Sequence, residues 1–501
     1  MTTSPSDQTS AGQVPAGRGP ERTESGLPGT PEPGAGDPGS GRSGQRPTAV
    51  VIGGGLAGIT AALHLADRGT RVTLLEGRPR LGGLAFSFRR GELWVDNGQH
   101  VFLRCCTAYR AFLDRIGASG LVTLQDRLEV PVLDAGTGRL GTLRRAALPV
   151  PLHLAGSLST YPHLSASERL SVGRAALALR GLDPKDPALD RQDFASWLHA
   201  RGQSPRTVRA VWDLVAVATL NARCADISLQ LAAMVFRTGL LTDPGAADIG
   251  WASVPLGRLH HEVAGAALDR AGVRVLLRTR ATAVVPHRDG HRVRTSGHGP
   301  DRPAELPADA VVLAVPQEHA RPLLPEGALT DPERLLELRH SPILNIHVVY
   351  DRRVLRRPFF AALGSPVQWV FDRTESSGLD GGQYLVLSQS AAQDDIDRPT
   401  AGLRARYLPE LSRLLPPARS ARVRDFFVTR ERTATFAPRP GVGRLRPRPR
   451  TRVPGLYLAG AWTDTGWPAT MEGAVRSGQQ AAEEALRQIH RSPADNQGRA
   501  V

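Results

Sequence analysis

Residues Thr48–Phe86 read TAVVIGGGLAGITAALHLADRGTRVTLLEGRPRLGGLAF, and this stretch decides the fold. "TAVVI" is a short β-branched run ending at glycine, the pattern of a strand buried in a parallel sheet. "LAGITAALHLADR", from Leu56 to about Arg68, has a helical pattern that Gly69 closes. "RVTLLE" is the next strand and ends at Glu76. Together they form a βαβ unit of roughly 30 residues. Gly53, Gly55 and Gly58 stand in G-x-G-x-x-G spacing at the first turn. The first glycine permits the tight turn, the second lets the backbone approach a pyrophosphate, and the third lets helix and strand pack closely. A pyrophosphate there meets the free N–H groups and positive dipole end of the helix. Glu76 is spaced to take both ribose hydroxyls of a dinucleotide.

A second glycine pair selects the dinucleotide. "RPRLGG" follows Glu76, with Arg80 ahead of Gly82 and Gly83. A nicotinamide domain has no need of this loop. An FAD-binding fold uses it to wrap the second phosphate, and Arg80 would add a charge-assisted hydrogen bond. The predicted cofactor is FAD.

The chain has 501 residues, 41% of them hydrophobic, which suits more than one globular domain. Its net charge of +15 comes almost wholly from arginine, because Lys185 is the single lysine. The arginines are scattered without aromatic interleaving, so nucleic acid is not an expected partner. An anionic membrane surface stays open as one. A Walker A loop is excluded, because Lys185 lies in "LDPKDP". Cys105, Cys106 and Cys224 form neither a disulfide framework nor a zinc site, and fit a reducing cytoplasm. His287 and His291 flank a turn at Asp289-Gly290, which argues against a metal; His260-His261 reads as ordinary surface or packing. No metal is expected. Nor does any segment have the length and apolarity of a membrane span, and the N-terminus lacks a signal-peptide pattern.

The predicted organisation is a discontinuous α/β, Rossmann-type FAD-binding domain with an inserted α+β substrate domain. Residues 1–46 form a disordered Gly/Pro/Ser-rich tail. The FAD-binding domain takes residues 47–120, 251–330 and 441–489. The substrate domain takes a mainly helical part, 121–250, and a sheet, 331–440. Residues 490–501 are a flexible C-terminus.

The opening stretch resembles the superfamily of flavin-containing amine oxidases and carotenoid desaturases. So does "GLYLAGAWTDTGWPATMEGAVRSGQQAA", where a strand ends in Ala-Gly and a helix starts at Glu-Gly-Ala. More specific phrases are "VDNGQHVFL", "WDLVAVATLNA", "SPILNIHVVYDR", "GSPVQWVFDRT" and "TGWPATMEGAVRSG". Together they resemble the hydroxysqualene dehydroxylase family, from about Pro47 to about Ile489.

That resemblance implies an amine oxidase-like fold and an FAD-dependent reductive dehydroxylation of hydroxysqualene, in squalene and hopanoid biosynthesis. It adds Gly98, Gln99, Gly460, Met471 and Glu472 to the cofactor contacts. An acid must protonate the departing oxygen, and His100, Asp96 and Asp464 are the candidates. Glu472 is an alternative, although capping its helix or orienting the flavin ribityl chain suits it better. Two positions depart from the superfamily pattern. Leu84 replaces a basic residue after the glycine pair, and Ala461 replaces an acid that Asp464 could supply. The expected partners are the hydrophobic isoprenoid substrate, an electron donor the sequence does not identify, and an anionic membrane in peripheral contact with a cytoplasmic enzyme. Two other readings compete: a desaturase of a carotenoid or squalene-like chain, and a non-catalytic protein that binds FAD and lipid. A flavin amine oxidase is disfavoured, because that family places a lysine near flavin N5 and Lys185 lies in the wrong kind of segment.

Overall fold

The computed structural model describes residues 46–297, 301 and 303–490. Apart from Arg46 and His490, the predicted tail and the flexible C-terminus lie outside the described residues. The opening motif forms strand β1 (Thr48–Ile52), helix α1 (Leu56–Ala66) and strand β2 (Arg71–Glu76). They belong to a five-stranded sheet in the order Arg274–Leu277, β2, β1, Ala310–Leu313, Leu456–Leu458. Every pairing in it is parallel. In chain order this is 3-2-1-4-5, the doubly wound arrangement, whose winding reverses between β1 and Ala310–Leu313. Ligands bind beyond the carboxyl ends of the strands at that reversal. The last helix, Met471–Ile489, crosses α1 so closely that a Cβ on Gly478 would lie 2.2 Å from the Ala57 carbonyl oxygen.

A second, seven-stranded sheet runs Val423–Phe436, His340–Tyr350, Gln383–Gln389, Trp369–Asp372, Phe359–Leu363, Glu129–Asp134, Leu140–Arg144. It is antiparallel except between Phe359–Leu363 and Glu129–Asp134. Successive side chains of a strand point to opposite faces. Leu344, Ile346 and Val348 pack with Leu403 and Leu411 of helix Thr400–Leu414. Asn345 and His347 therefore face the other way.

The stretch 121–250 is helical between Ala155 and Leu241 but is not so throughout. Three strands open it, Val122–Leu124, Glu129–Asp134 and Leu140–Arg144, and the last two extend the substrate sheet. These strands are short, and Pro131 interrupts one of them, so their alternation is weak as a signal. Pairing with Phe359–Leu363 is what holds them extended.

Candidate active site

Gly53 has φ +114°, and a Cβ there would meet the Ala314 carbonyl oxygen at 2.4 Å. A Cβ on Gly58 would stand 1.8 Å from the Gly53 oxygen, so the helix lies directly against the turn. Gly55 is the N-cap of α1 and brings no capping side chain. The first N–H groups of the helix thus keep their capacity for an anion. Beside Gly55 a Cβ would meet only the Gly83 Cα, at 3.7 Å. The two glycine loops appose there, and the Gly82 N–H donates to the Gly54 oxygen at 2.8 Å. Glu76 accepts from the N–H groups of Gly54 and Arg78 at 2.8 and 2.7 Å. Each carboxylate oxygen keeps a second lone-pair position for a ribose hydroxyl. This cradle fits FAD. Gly58→Ala should overpack the turn by about 1–3 kcal/mol and weaken FAD retention about tenfold or more, read from the flavin-to-protein absorbance ratio after dialysis.

Arg80 is tied into its own loop. Its Nη1 donates to the Gly83 oxygen at 3.1 Å, and the guanidinium lies 3.3 Å from the Phe86 ring centre. Burial and the neighbouring Arg78 push its pKa down to about 10, so it stays charged at neutral pH.

Residues that looked incidental in the sequence hold this loop. His260 is fully buried, and burial pushes its pKa down to about 4. The neutral ring donates Nδ1–H to the Ala85 oxygen at 3.1 Å and accepts from the Tyr109 hydroxyl at 2.9 Å. His261 Nδ1 accepts from the Leu81 N–H at 3.3 Å. Asn97 donates to the Leu84 oxygen at 2.7 Å and accepts from the Phe86 N–H at 3.1 Å. Position 84 contributes its carbonyl to this contact, and the Leu84 side chain is 38% exposed.

Asp96 and His100 line one cavity with Gln99, Trp251, Phe359 and Arg373. Asp96 accepts from Ser87 Oγ at 2.6 Å, the Leu256 N–H at 3.0 Å and Arg373 Nη2 at 2.9 Å. With three donors on its carboxylate, its geometry is that of a positioning residue. His100 donates Nδ1–H to the Gly98 oxygen at 3.1 Å, which leaves Nε2 as an acceptor. Burial holds its pKa below the ordinary value of 6.5. Were His100 the acid, activity would rise only as pH falls below about 6.5. The expected result for His100→Ala is a raised KM and a pH–rate profile without a lost acid limb.

The C-terminal contributions divide. Gly460 has φ +140°, and its N–H donates to Ser477 Oγ at 2.9 Å. Thr470 caps the last helix by accepting from the Gly473 N–H at 3.0 Å, leaving the N–H groups of Met471 and Glu472 without intrahelical partners. The Glu472 side chain does not cap its own helix. It is buried and accepts from the N–H groups of Ala108 and Tyr109, at 3.1 and 2.7 Å, and from Arg476 at 2.6 Å. It thereby caps a different helix, Thr107–Ile116. Asp464 does not join His100 and Asp96 either. It is exposed in a turn, and its carboxylate accepts from the Gly466 N–H at 3.3 Å. Lys185 is exposed in the turn after helix Ala166–Arg180.

Three residues of the substrate sheet converge on Asn97. Asn345 Nδ2 and Thr429 Oγ1 donate to its carbonyl at 3.2 and 3.1 Å, and the Glu431 carboxyl lies near its side chain. Flipping the Asn345 amide would set two oxygens against each other, so Oδ1 points elsewhere; it is buried without a partner among the described residues. Burial raises the pKa of Glu431, against the opposing effects of Asn97, Arg78 and Arg80. Trp251, Phe359, Trp369 and Phe371 form a connected cluster with ring centres 5.8–6.2 Å apart, and three of these rings line the His100 cavity. "SPILNIHVVYDR" was legible as a strand. Only its cross-strand register puts Asn345 beside Thr429.

The model of the flavin containing amine oxidoreductase family matches residues 56–486. A putrescine oxidase triple mutant, redesigned in its cofactor binding, has the same fold, with TM-score 0.69 at 18% identity, covering 88% of this chain and 99% of its own. The fold, the cradle and this match define an FAD-dependent oxidoreductase. The hydroxysqualene dehydroxylase of Rhodopseudomonas palustris is 32% identical over 87% of this chain and 97% of its own length. A 15-cis-phytoene desaturase of Narcissus pseudonarcissus is 26% identical over 88% of this chain and 80% of its own. The chain belongs to the hydroxysqualene dehydroxylase family.

Proposed function

We propose that the chain acts on an isoprenoid and converts hydroxysqualene to squalene by reductive dehydroxylation. The observation that carries this reading is the 32% identity to a hydroxysqualene dehydroxylase along 87% of the chain. Local chemistry supports it. The substrate C–O bond breaks, water leaves, and a C–H bond forms with the two electrons of reduced FAD. Loss of an allylic hydroxyl needs a proton donor at the oxygen. Glu431, half-buried and near Asn97, is a carboxyl whose pKa burial raises above the ordinary value. Asn345 Oδ1 accepts the substrate O–H and orients it. The allylic cation left behind is stabilised by aromatic faces, as cations over π-systems are, and the Trp251–Phe359–Phe371 wall excludes the water that would recapture it. His100 Nε2 is a further acceptor, in the cavity that Trp251, Phe359 and Phe371 line.

The match to a phytoene desaturase favours one alternative, the oxidative direction on a carotenoid-like chain. The test is anaerobic. The flavin of the holoenzyme is reduced, hydroxysqualene is added, and flavin absorbance and lipid product are followed together. Reoxidation with stoichiometric squalene is the expected result. Bound flavin that stays reduced would remove the dehydroxylase reading; oxidised enzyme acting on phytoene or squalene would establish the desaturase. Bound FAD responding to none of these lipids would leave a lipid-binding flavoprotein.

A further inference from the structure

The exposed apolar side chains are not spread evenly. Leu140, Leu148, Leu152, Leu170 and Leu177 are between 46% and 69% exposed, and they fall within a single stretch of the chain. Among the described residues only Leu84, Val101 and Leu336 join them as exposed large apolar groups. Tertiary packing gathers the stretch. The short helix Ala155–Ser159 contacts both the strand Leu140–Arg144 and the helix Ala166–Arg180. Leu170 and Leu177 are seven residues apart and share the outer face of that helix. Its inner face, Val172, Ala175 and Leu179, belongs to the apolar cluster that extends to Phe359 at the His100 cavity. The helix is thus apolar on two sides, one in the core and one in solvent.

Charge identifies the occupant. Residues 139–180 contain six arginines and one acid, Glu168. Arg145 is spent on Asp248, and Arg169 on backbone oxygens of Ser159 and Tyr161. Arg139, Arg144, Arg174 and Arg180 are exposed. No helix of the described residues is long and apolar enough to cross a membrane. A second copy of the chain would bring the same arginines against these. An anionic bilayer accepts both components, leucines in the acyl boundary and arginines at the headgroups.

We propose that the surface carrying Leu148, Leu152, Leu170 and Leu177, with Arg139, Arg144 and Arg174, docks the enzyme on the face of an anionic lipid bilayer. The surface is read from exposure and charge. Only its use, as the entry for a bilayer-dissolved isoprenoid, rests on the function proposed above.

The test uses FAD-loaded enzyme and co-sedimentation with vesicles of phosphatidylcholine alone or mixed with phosphatidylglycerol. The parent should bind the phosphatidylglycerol vesicles, less so at high salt and little on phosphatidylcholine. The double substitution Leu170→Gln with Leu177→Gln should lower that binding at least about tenfold, and Arg139→Gln with Arg174→Gln should remove its salt dependence. Both variants should keep the parent's flavin spectrum and melting temperature. Equal binding by the leucine variant and the parent, or no binding by the parent, would overturn the proposal. So would a parent dimer that the leucine substitutions dissolve. Turnover of detergent-dispersed hydroxysqualene, measured in parallel, separates the two readings: vesicle binding without turnover would sink the proposed reaction and leave the docking surface standing.

Discussion

Glu431→Gln should lower the dehydroxylation rate by about 10²–10⁴-fold, the usual contribution of a positioned acid, while the flavin remains bound. Glutamine keeps the shape of the side chain and can still meet Asn97, but it has no proton to lose. The sign of the pH dependence follows from burial, which raises the pKa of this carboxyl. The acid is competent while protonated, so the parent's rate should be high at low pH and fall as pH rises through the raised pKa. That descending limb should be absent from the glutamine variant. A variant within about threefold of the parent, or one that keeps the limb, would take the acid role away from Glu431. The result matters for Asn345 too, because Thr429 and Glu431 stand two residues apart on one strand and both meet Asn97.

Arg373→Ala should destabilise the folded enzyme by about 3–5 kcal/mol, the cost of leaving a buried charge uncompensated. The Arg373 and Asp96 side chains are 10% and 7% exposed and meet at 2.9 Å. Arg373 also donates to the Ala252 oxygen at 3.0 Å. Asp96 in turn gathers Ser87 and the Leu256 N–H, so the pair joins the strand that ends at Asp96 to the wall of the His100 cavity. Thermal unfolding with excess FAD measures the effect. The double variant Asp96→Asn with Arg373→Met should recover most of the loss, because no charge is then buried alone. Failure to recover would mean that the contact to Ala252, or packing of the guanidinium, carries the stability instead.

The cofactor cradle was legible because its requirements are local. Gly53, Gly55, Gly58, Glu76 and the Gly82-Gly83 pair act through backbone approach and turn geometry within one short stretch, so spacing alone identifies them. The family phrase around Asp96–His100 was equally visible, and it does line the cavity. The roles within it were not legible. A sequence shows an aspartate but not the three donors that engage it, and a histidine but not the Gly98 carbonyl that decides which ring nitrogen is an acceptor.

The tertiary roles of Glu472, Asp464 and His260 were not legible in the sequence. Glu472 begins its own helix yet caps another, because helix Thr107–Ile116 packs against the last helix and brings the N–H groups of Ala108 and Tyr109 within reach. Asp464 was offered as a substitute for the acid replaced by Ala461, and a turn carries it into solvent. His260-His261 read as ordinary surface or packing, and both rings hold the glycine-pair loop across about 180 residues of chain. What the sequence by itself determined is therefore the dinucleotide fold, its FAD cradle and the family, all carried by contiguous motifs. Tertiary structure alone decided the substrate side: Asn345, Thr429 and Glu431 meet Asn97 only because strand register and the stacking of the substrate sheet on the Asn97 loop bring together residues separated by more than 240 positions. Hydrogen bonds at that separation leave no periodicity to read, and they form only once burial has fixed which face of each strand points inward.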